Sequence, residues 1–304
     1  MSYWRKRERE HRKNIIWTEQ QKLQRLEQIN RNSMQEIQRQ INAFIFSYAD
    51  KEGISEEEVR KRISTLDMEE YGRKARRYVA DKDFSPRANR EMLLYNLTMK
   101  TNRLELLKMH IWLELVAAGN EMEKFMRHEL IAGARAELER QAGIMGMTVG
   151  GLDIKTRAII DQSFLSAKWS TRLWGNQEAL RREIDSLLQK AIVQGIHSRD
   201  LAPQLSDRFG VSNYAAKRLL ITEKARVETE IQKISYQEFG FEEYEFVAEW
   251  SACPICEKLD KKRFKVGNMQ AGENAAPMHP FCRCSTSPYF SREEYEADLE
   301  RRGL

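Results

Sequence analysis

Proline is distributed very unevenly along this chain of 304 residues, and that distribution constrains the fold more than any other feature. Of the six prolines, only Pro86 precedes residue 200, whereas four lie within residues 254–288. Proline lacks the N–H group that a helix interior uses, and its ring clashes with the preceding turn. The first two thirds of the chain can therefore be helical, and the proline cluster predicts a non-helical segment near the C-terminus.

Apolar side chains recur mainly at three- and four-residue steps along residues 14–49, which predicts one long amphipathic helix. One five-residue step, from Ile29 to Met34, argues against a strict coiled coil. The pattern therefore favours a helix packed on its neighbours, with a partner-binding helix as the alternative.

Further helices are predicted from start and stop signals. Ser85–Pro86 begins a segment without breakers up to about Ala118, Gly119–Asn120 predicts a turn, and a further helix reaches about Gln141. Together these segments predict an elongated helical N-terminal domain over residues 1–142.

Four glycines within residues 143–151 predict a linker, because glycine weakens regular structure. A second domain over residues 152–304 then follows. In it, residues 176–193 are predicted to be helical, and Gly210 is predicted to end a helix that Ser198 begins.

The pattern changes near residue 240. Tyr244, Phe246 and Ala248 alternate with charged residues, which predicts a half-buried strand. Phe264 precedes Gly267–Asn268, a turn signal. The fold class is therefore mainly α, with a small β-containing module at residues 250–290.

All four cysteines lie in this module, as Cys253-Pro-Ile-Cys256 followed by His279-Pro-Phe-Cys282-Arg-Cys284. A C-x-x-C pair lets two thiolates reach one zinc ion, and H-x-x-C can do so from the opposite side. The spacing predicts one structural zinc bound by Cys253, Cys256 and two of His279, Cys282 and Cys284. Four free thiols, with His279 holding a backbone carbonyl, are the alternative; disulfides and a redox motif are weaker ones.

A catalytic zinc would need an open coordination position and a base nearby. His279 is the only histidine of residues 250–290, and as a ligand it could not serve as that base. Glu249, Glu257 and Asp260 are carboxylates of the module, and charged residues beside turns are usually solvated. The protein is therefore predicted not to be an enzyme.

Residues 5–13 are rich in arginine and lysine and follow Trp4. Such a stretch is usually a solvated helix end; the alternative is contact with nucleic-acid phosphates or an acidic partner surface. No apolar run approaches the roughly 18 residues that span a bilayer, and no signal peptide is recognisable. Synthesis and assembly in the cytoplasm are therefore expected.

The module resembles the phage Mu F-like head morphogenesis proteins. The resemblance rests on Trp250-x-x-Cys253-Pro254-x-Cys256, Leu259-Asp260, Phe264 and His279-Pro280-x-Cys282-Arg283-Cys284. Upstream, the order of Trp169-x-x-Arg172-Leu173-Trp174, Gly195-x-x-Ser198, Tyr214-Ala215-Ala216-x-Arg218-Leu219 and Thr222-Glu223 agrees. The resemblance covers roughly residues 150–290. Lys261 replaces the glycine that usually follows the Leu-Asp pair.

The resemblance implies a minor head protein of the virion, present in few copies and acting in head assembly and DNA packaging or delivery. The implied partners are the portal protein and other head or scaffolding proteins. Separately, the arginines and lysines interleaved with Trp4 and Trp17 are candidates for non-specific contact with packaged DNA. The implied location is the head interior or the portal vertex. A zinc-dependent enzyme acting on nucleic acid within the head is the alternative function.

Overall fold

The computed structural model of the chain describes residues 3–49, 103–145, 153–194 and 198–290. It is mainly helical, with a small sheet near the C-terminus, as predicted. The long helices are α1 (Tyr3–Ala49), α2 (Arg103–Met145), α3 (Asp153–Ile160), α4 (Trp169–Gln194) and α5 (Ser198–Glu238). The C-terminal elements are β1 (Glu243–Val247), α6 (Pro254–Glu257), β2 (Arg263–Lys265), a 3-10 turn (Val266–Asn268) and β3 (Ser285–Tyr289).

None of the described helices has an apolar stretch long enough to cross a bilayer. The predicted helix start at Ser85–Pro86 lies outside the described residues, as does most of the predicted glycine linker. Only residues 143–145 of that linker are described, and they form the last part of α2. The division into domains at residues 143–151 stays a prediction.

The predicted strand near residue 244 is confirmed as β1, the central strand of a three-stranded antiparallel sheet in the order β2-β1-β3. Tyr244 and Phe246 are fully buried, whereas Glu243 and Glu245 are half-buried, so the alternation in the sequence matches the two faces. In register, Tyr244 pairs with Phe264 of β2 and Phe246 with Thr286 of β3.

The described residues belong to two compact units, and α1, α2, α4 and α5 contribute to both. Of the described residues, the sheet unit takes 3–24, 125–145, 153–172 and 217–290. The helical unit takes 25–49, 103–124, 173–194 and 198–216.

The core of the helical unit is built from four helices with apolar side chains one turn apart. Examples are Ile37 and Ile41 of α1, Ile111 and Leu115 of α2, Ile184 and Leu188 of α4, and Leu205 and Phe209 of α5. The prediction that α1 packs on neighbouring helices is thus confirmed. At the five-residue step of its apolar stripe, Asn30 and Ser33 occupy the buried positions instead.

Two predicted helix breaks were wrong. Gly119 lies inside α2, where a Cβ atom would come within 2.8 Å of the Trp174 ring; this glycine permits close packing rather than a turn. Gly210 lies inside α5, because Leu205, Phe209, Ser212 and Ala216 continue one buried helical face across it. The free energy gained by burying this helical face exceeds the free-energy cost of one glycine in a helix, about 1 kcal/mol relative to alanine.

The sheet unit contains a buried network of charged and polar side chains. Arg12 of α1 donates to Glu228 of α5 at 2.6 Å and to Ser285 of β3 at 2.8 Å. Arg140 of α2 contacts Glu8 of α1 at 2.7 Å.

Within the same network, the Arg140 guanidinium also binds Glu137 on its own helix at 2.6 Å. Gln232 of α5 donates to Glu137 at 2.9 Å, and Thr286 of β3 donates to Gln232 at 2.7 Å. Ion pairs between the helices, together with hydrogen bonds to the hydroxyl groups of β3, therefore hold α1, α2, α5 and β3 together.

We predict opposite effects for two glycine-to-alanine substitutions. Gly119→Ala should destabilise the protein, because overpacking costs about 1–3 kcal/mol and outweighs the helix propensity gained. Gly210→Ala, whose added Cβ would meet nothing within 4 Å, should stabilise it by about 0.5–1 kcal/mol. Urea unfolding followed by circular dichroism measures both. Equal effects of the two substitutions would contradict the close-packing role of Gly119.

Candidate metal centre

The single turn of helix α6 places Cys253 and Cys256 on the same side of the chain. Cys253 is the residue before the helix, in extended conformation, and Pro254 occupies the first helical position. The Glu257 N–H donates to the Cys253 carbonyl at 2.9 Å, and the Leu259 N–H donates to the Cys256 carbonyl at 3.0 Å. One proline of the predicted non-helical cluster thus starts a helical turn.

A second turn places His279 and Cys282 opposite this pair. The Cys282 N–H donates to the His279 carbonyl at 3.1 Å, and Phe281 between them has a positive φ of 62°. The Phe281 N–H donates to the Thr222 hydroxyl of α5 at 3.2 Å, so the turn is fixed to a helix of the sheet unit.

The five predicted ligand residues meet in one place, here called the Cys/His cluster (Cys253, Cys256, His279, Cys282 and Cys284). The His279 Nε2 atom lies 3.2 Å from Cys253 Sγ and 3.3 Å from Cys256 Sγ. Cys256 Sγ lies 3.8 Å from Cys282 Sγ. The donor atoms form two groups of three, Cys253–Cys256–His279 and Cys256–Cys282–Cys284, which share Cys256.

These distances fit a tetrahedral metal site. Two sulfurs that each lie about 2.3 Å from a zinc ion are separated by about 3.8 Å at the tetrahedral angle. The Cys256–Cys282 separation has this value. Because the cluster brings thiol and imidazole donors together at such distances, it could hold a metal ion.

The orientation of the His279 ring suits coordination of a metal ion through its Nε2 atom. Its Nδ1 atom lies 2.8 Å from the Pro280 carbonyl oxygen, to which an Nδ1–H group donates. This hydrogen bond leaves Nε2 as the nitrogen with a lone pair, and Nε2 faces the two cysteine sulfurs. The backbone-holding role considered from the sequence is therefore present and is compatible with metal binding through the other nitrogen.

The crowded sulfurs compete for protons. Hydrogen bonds with Cys282 and Cys284 raise the pKa of the Cys256 thiol. Hydrogen bonds with Cys256 and Cys284 lower the pKa of Cys282 to about 2. A thiolate among neutral thiols has a negative charge available for a cation.

The module does not depend on the cluster alone. Apolar side chains surround the sulfurs, including Phe246 of β1 and Ala276, and Tyr236 of α5 packs with Tyr244 and Val266 on the sheet. Arg12 and Gln232 of the buried network also bind Ser285, next to Cys284. The sequence had no local signal for this support, because its partners are far apart along the chain.

Asp260 is not the solvated carboxylate that its turn position indicated. It accepts a hydrogen bond from the Ala248 N–H at 2.8 Å and binds Arg5, with Arg9 3.6 Å away. Burial raises the pKa of Asp260, but the hydrogen bonds from Arg5 and Ala248 outweigh it and lower the pKa overall. Asp260 therefore anchors the start of α1 to the module. Glu257 is exposed, as expected, and Glu249 accepts a hydrogen bond from Ser251.

The basic N-terminal stretch is only partly solvated. Arg5 and Arg12 are buried, and Arg5 donates to Glu245 at 2.5 Å as well as binding Asp260. Lys6 and Lys13 are exposed. The two buried guanidinium groups thus bind carboxylates of the chain itself. Contact of this stretch with phosphates or with an acidic partner surface stays a prediction.

Glu223, within the Thr222-Glu223 pair, is fully buried and binds Arg226 at 2.7 Å and Arg172 at 3.4 Å. Arg226 in turn donates to the carbonyls of Ile159 and Ile160 at the end of α3. These two motif residues therefore position other groups. Thr222 accepts the hydrogen bond that fixes the turn at Phe281. Glu223 binds Arg226, which donates to the last carbonyls of α3.

Lys261 lies in the left-handed region, with φ of 66°. Its N–H donates to the Phe246 carbonyl at 3.0 Å, which fixes the turn between α6 and β2. This backbone conformation explains why glycine suits the position after the Leu259–Asp260 pair.

Residues 182–287 match the family model described as Phage Mu protein F like protein. The match extends from α4 to β3 and includes the whole Cys/His cluster, so the resemblance is confirmed over these residues; residues 150–181 lie outside it. No curated protein and no solved structure matches the chain. The match indicates a role in phage head morphogenesis.

We predict that Lys261→Gly stabilises the protein. A side chain in the left-handed region costs about 1–2 kcal/mol, and glycine removes that cost at about 0.5–1 kcal/mol of backbone entropy. The matched control is Lys262→Gly, next to it and outside the left-handed region, which should destabilise by about 0.5–1 kcal/mol. Urea unfolding measures both, and a loss of stability in both variants would contradict the prediction.

Proposed function

We propose that the protein is a minor head protein of a phage virion, incorporated in few copies with the portal, and that it acts structurally in head assembly and DNA packaging or delivery. The observation that carries this proposal is the family match over residues 182–287. The portal protein as direct partner and the head interior or portal vertex as location are parts of the same proposal.

We further propose that the Cys/His cluster binds one zinc ion through Cys253, Cys256, His279 and Cys282. Three donor pairs link these four residues at short separations: Cys253–His279 at 3.2 Å, Cys256–His279 at 3.3 Å and Cys256–Cys282 at 3.8 Å. Thiolate and imidazole donors in this number suit zinc, and four protein ligands complete a structural site. Cys284 is then a buried neighbour of the site and not a ligand.

A structural role suits the surroundings of the cluster. Nδ1 of His279 is engaged by the Pro280 carbonyl, and Asp260 is engaged by Arg5 and the Ala248 N–H. A zinc ion would link the turn after β1 to the turn before β3, and both strands pack against the long helices. The ion would thereby stabilise the part of the chain that matches the family.

The metal proposal predicts one zinc ion per chain in protein purified without chelator, measured by elemental analysis. Cys253→Ser should lose most of the zinc, because it removes one of four ligands. Cys284→Ser should retain it, and this variant is the matched control, since it removes a cluster thiol with the same chemistry. Loss of zinc in Cys284→Ser with retention in Cys282→Ser would contradict the proposed ligand set. A zinc content near zero in a folded wild-type chain would contradict metal binding altogether.

The head proposal predicts that the wild-type chain is found in purified heads and captures the portal protein from solution. Cys253→Ser combined with Cys256→Ser should reduce incorporation strongly, because the module can no longer hold its metal. Glu257→Ala, which changes an exposed carboxylate of the same turn, should leave both incorporation and infectivity unchanged.

Quantitative immunoblotting of purified particles measures incorporation, and plaque counts measure infectivity. Absence of the wild-type chain from heads and procapsids would refute the proposal. A folded, incorporated Glu257→Ala variant that loses infectivity together with a measurable hydrolytic activity would favour the enzyme hypothesis instead.

A further inference from the structure

Two large apolar side chains beside the Cys/His cluster are exposed to solvent, whereas such side chains are more often buried in folded proteins. The Trp250 side chain is 64% exposed and Ile255 is 59% exposed. They lie on either side of Cys253, one before α6 and the other within it. The aromatic residues of the adjoining strand β1, Tyr244 and Phe246, are completely buried. The other aromatic residues within residues 250–290 are partly buried, so Trp250 is the exposed one among them.

The turn that follows α6 is strongly basic. Lys258, Lys261, Lys262 and Arg263 are all exposed within this short stretch of the chain. Of the three nearby carboxylates, Asp260 is paired with Arg5, Glu249 accepts a hydrogen bond from Ser251, and Glu257 remains exposed. The turn therefore presents a net positive charge next to the apolar pair.

The start of α1 adds a cation to the same surface. Successive turns of α1 contact the module: Arg5 and Arg9 bind Asp260, and Lys13 follows one turn later. The Lys13 Nζ atom lies 5.6 Å from the centre of the Trp250 ring. Lys13 is thereby held beside an aromatic face that is otherwise open to solvent.

We propose that this surface, formed by Trp250, Ile255, Lys13 and the lysines of residues 258–262, binds single-stranded nucleic acid. A base stacks on Trp250 and contacts Ile255, and the lysine side chains bind the backbone phosphates. This binding activity is independent of the proposed head role and of the metal's identity. It differs from a contact through residues 5–13 alone, because Arg5 and Arg12 are buried in ion pairs.

A single strand is favoured over an acidic protein surface by the combination of groups. Lysines alone attract any polyanion, whereas a base presents a flat aromatic face that stacks on an exposed indole ring. A duplex keeps its bases stacked inside, so it would use the lysines but not Trp250. Comparing the affinities for single-stranded and duplex nucleic acid therefore separates the electrostatic contribution to binding from the stacking contribution.

The test uses the full-length chain and fluorescence anisotropy with labelled oligo-dT of about 16 nucleotides, a site size within the range of single-strand binders. A duplex of the same length is the comparison, at about 50 mM and about 200 mM salt. We expect tighter binding of the single strand. Trp250→Ala should weaken it roughly 5- to 150-fold, the range for removal of one stacked base, while Trp250→Phe retains most of the affinity.

Lys258→Gln combined with Lys262→Gln should lower the slope of log affinity against log salt by about 1.4, because each phosphate of a single strand that a lysine neutralises contributes about 0.7 to that slope. Matched controls lie in the helical unit: Tyr214→Ala removes an aromatic ring that is 58% exposed, and Lys190→Gln removes one exposed lysine. Both controls should bind like the wild type.

The proposal is overturned if the wild-type chain does not bind oligo-dT at low salt. It is also overturned if the duplex binds more tightly than the single strand, or if folded Trp250→Ala binds like the wild type. Circular dichroism and zinc content of each variant show whether the fold is intact. If Trp250→Ala unfolds, the Trp250→Phe variant and the double lysine variant test the proposal instead, through the same affinities and salt slopes.

Discussion

Burial of ion pairs is the interaction on which the sheet unit depends. Arg12, Glu8 and Glu137 are buried together, and burial alone would make each charge unfavourable. The pKa of Glu137 is nevertheless lowered, because the charge of Arg140 and its hydrogen bond to Glu137 help to outweigh desolvation. Such a network stabilises only the arrangement in which every partner is in place, so it specifies how α1, α2, α5 and β3 meet.

The position of the Cys/His cluster follows from this network. Ser285 and Thr286 of β3 bind Arg12 and Gln232, and β3 immediately follows Cys284. Arg5 holds Asp260, which closes the turn after α6. The turns on both sides of the cluster are therefore fixed by side chains of the long helices, and the donor atoms are brought together by the fold as well as by their own spacing.

Periodic and local features of the sequence predicted much of the fold. The alternation at Tyr244 and Phe246 predicted β1, and the C-x-x-C and H-x-x-C spacings predicted that the five cluster residues would meet. The prediction of a turn at Gly119 was wrong, because this glycine makes room for the Trp174 ring. No local sequence pattern shows that contact. The network and the role of Asp260 were not predictable, since Arg5 and Glu245 are 240 positions apart.

That separation has a consequence for synthesis. Arg5 leaves the ribosome long before its partners, because 240 further positions must be translated before Glu245 appears, and Asp260 comes later still. At roughly 5–20 residues per second, the first turns of α1 wait on the order of 10–50 seconds for their counter-charges. During that interval Arg5 and Arg12 remain hydrated, and the first turns of the helix cannot dock. The sheet unit can therefore complete its folding only after the cysteine-containing module has been translated. Docking of α1 onto that module is the step by which a nascent chain reaches its native state.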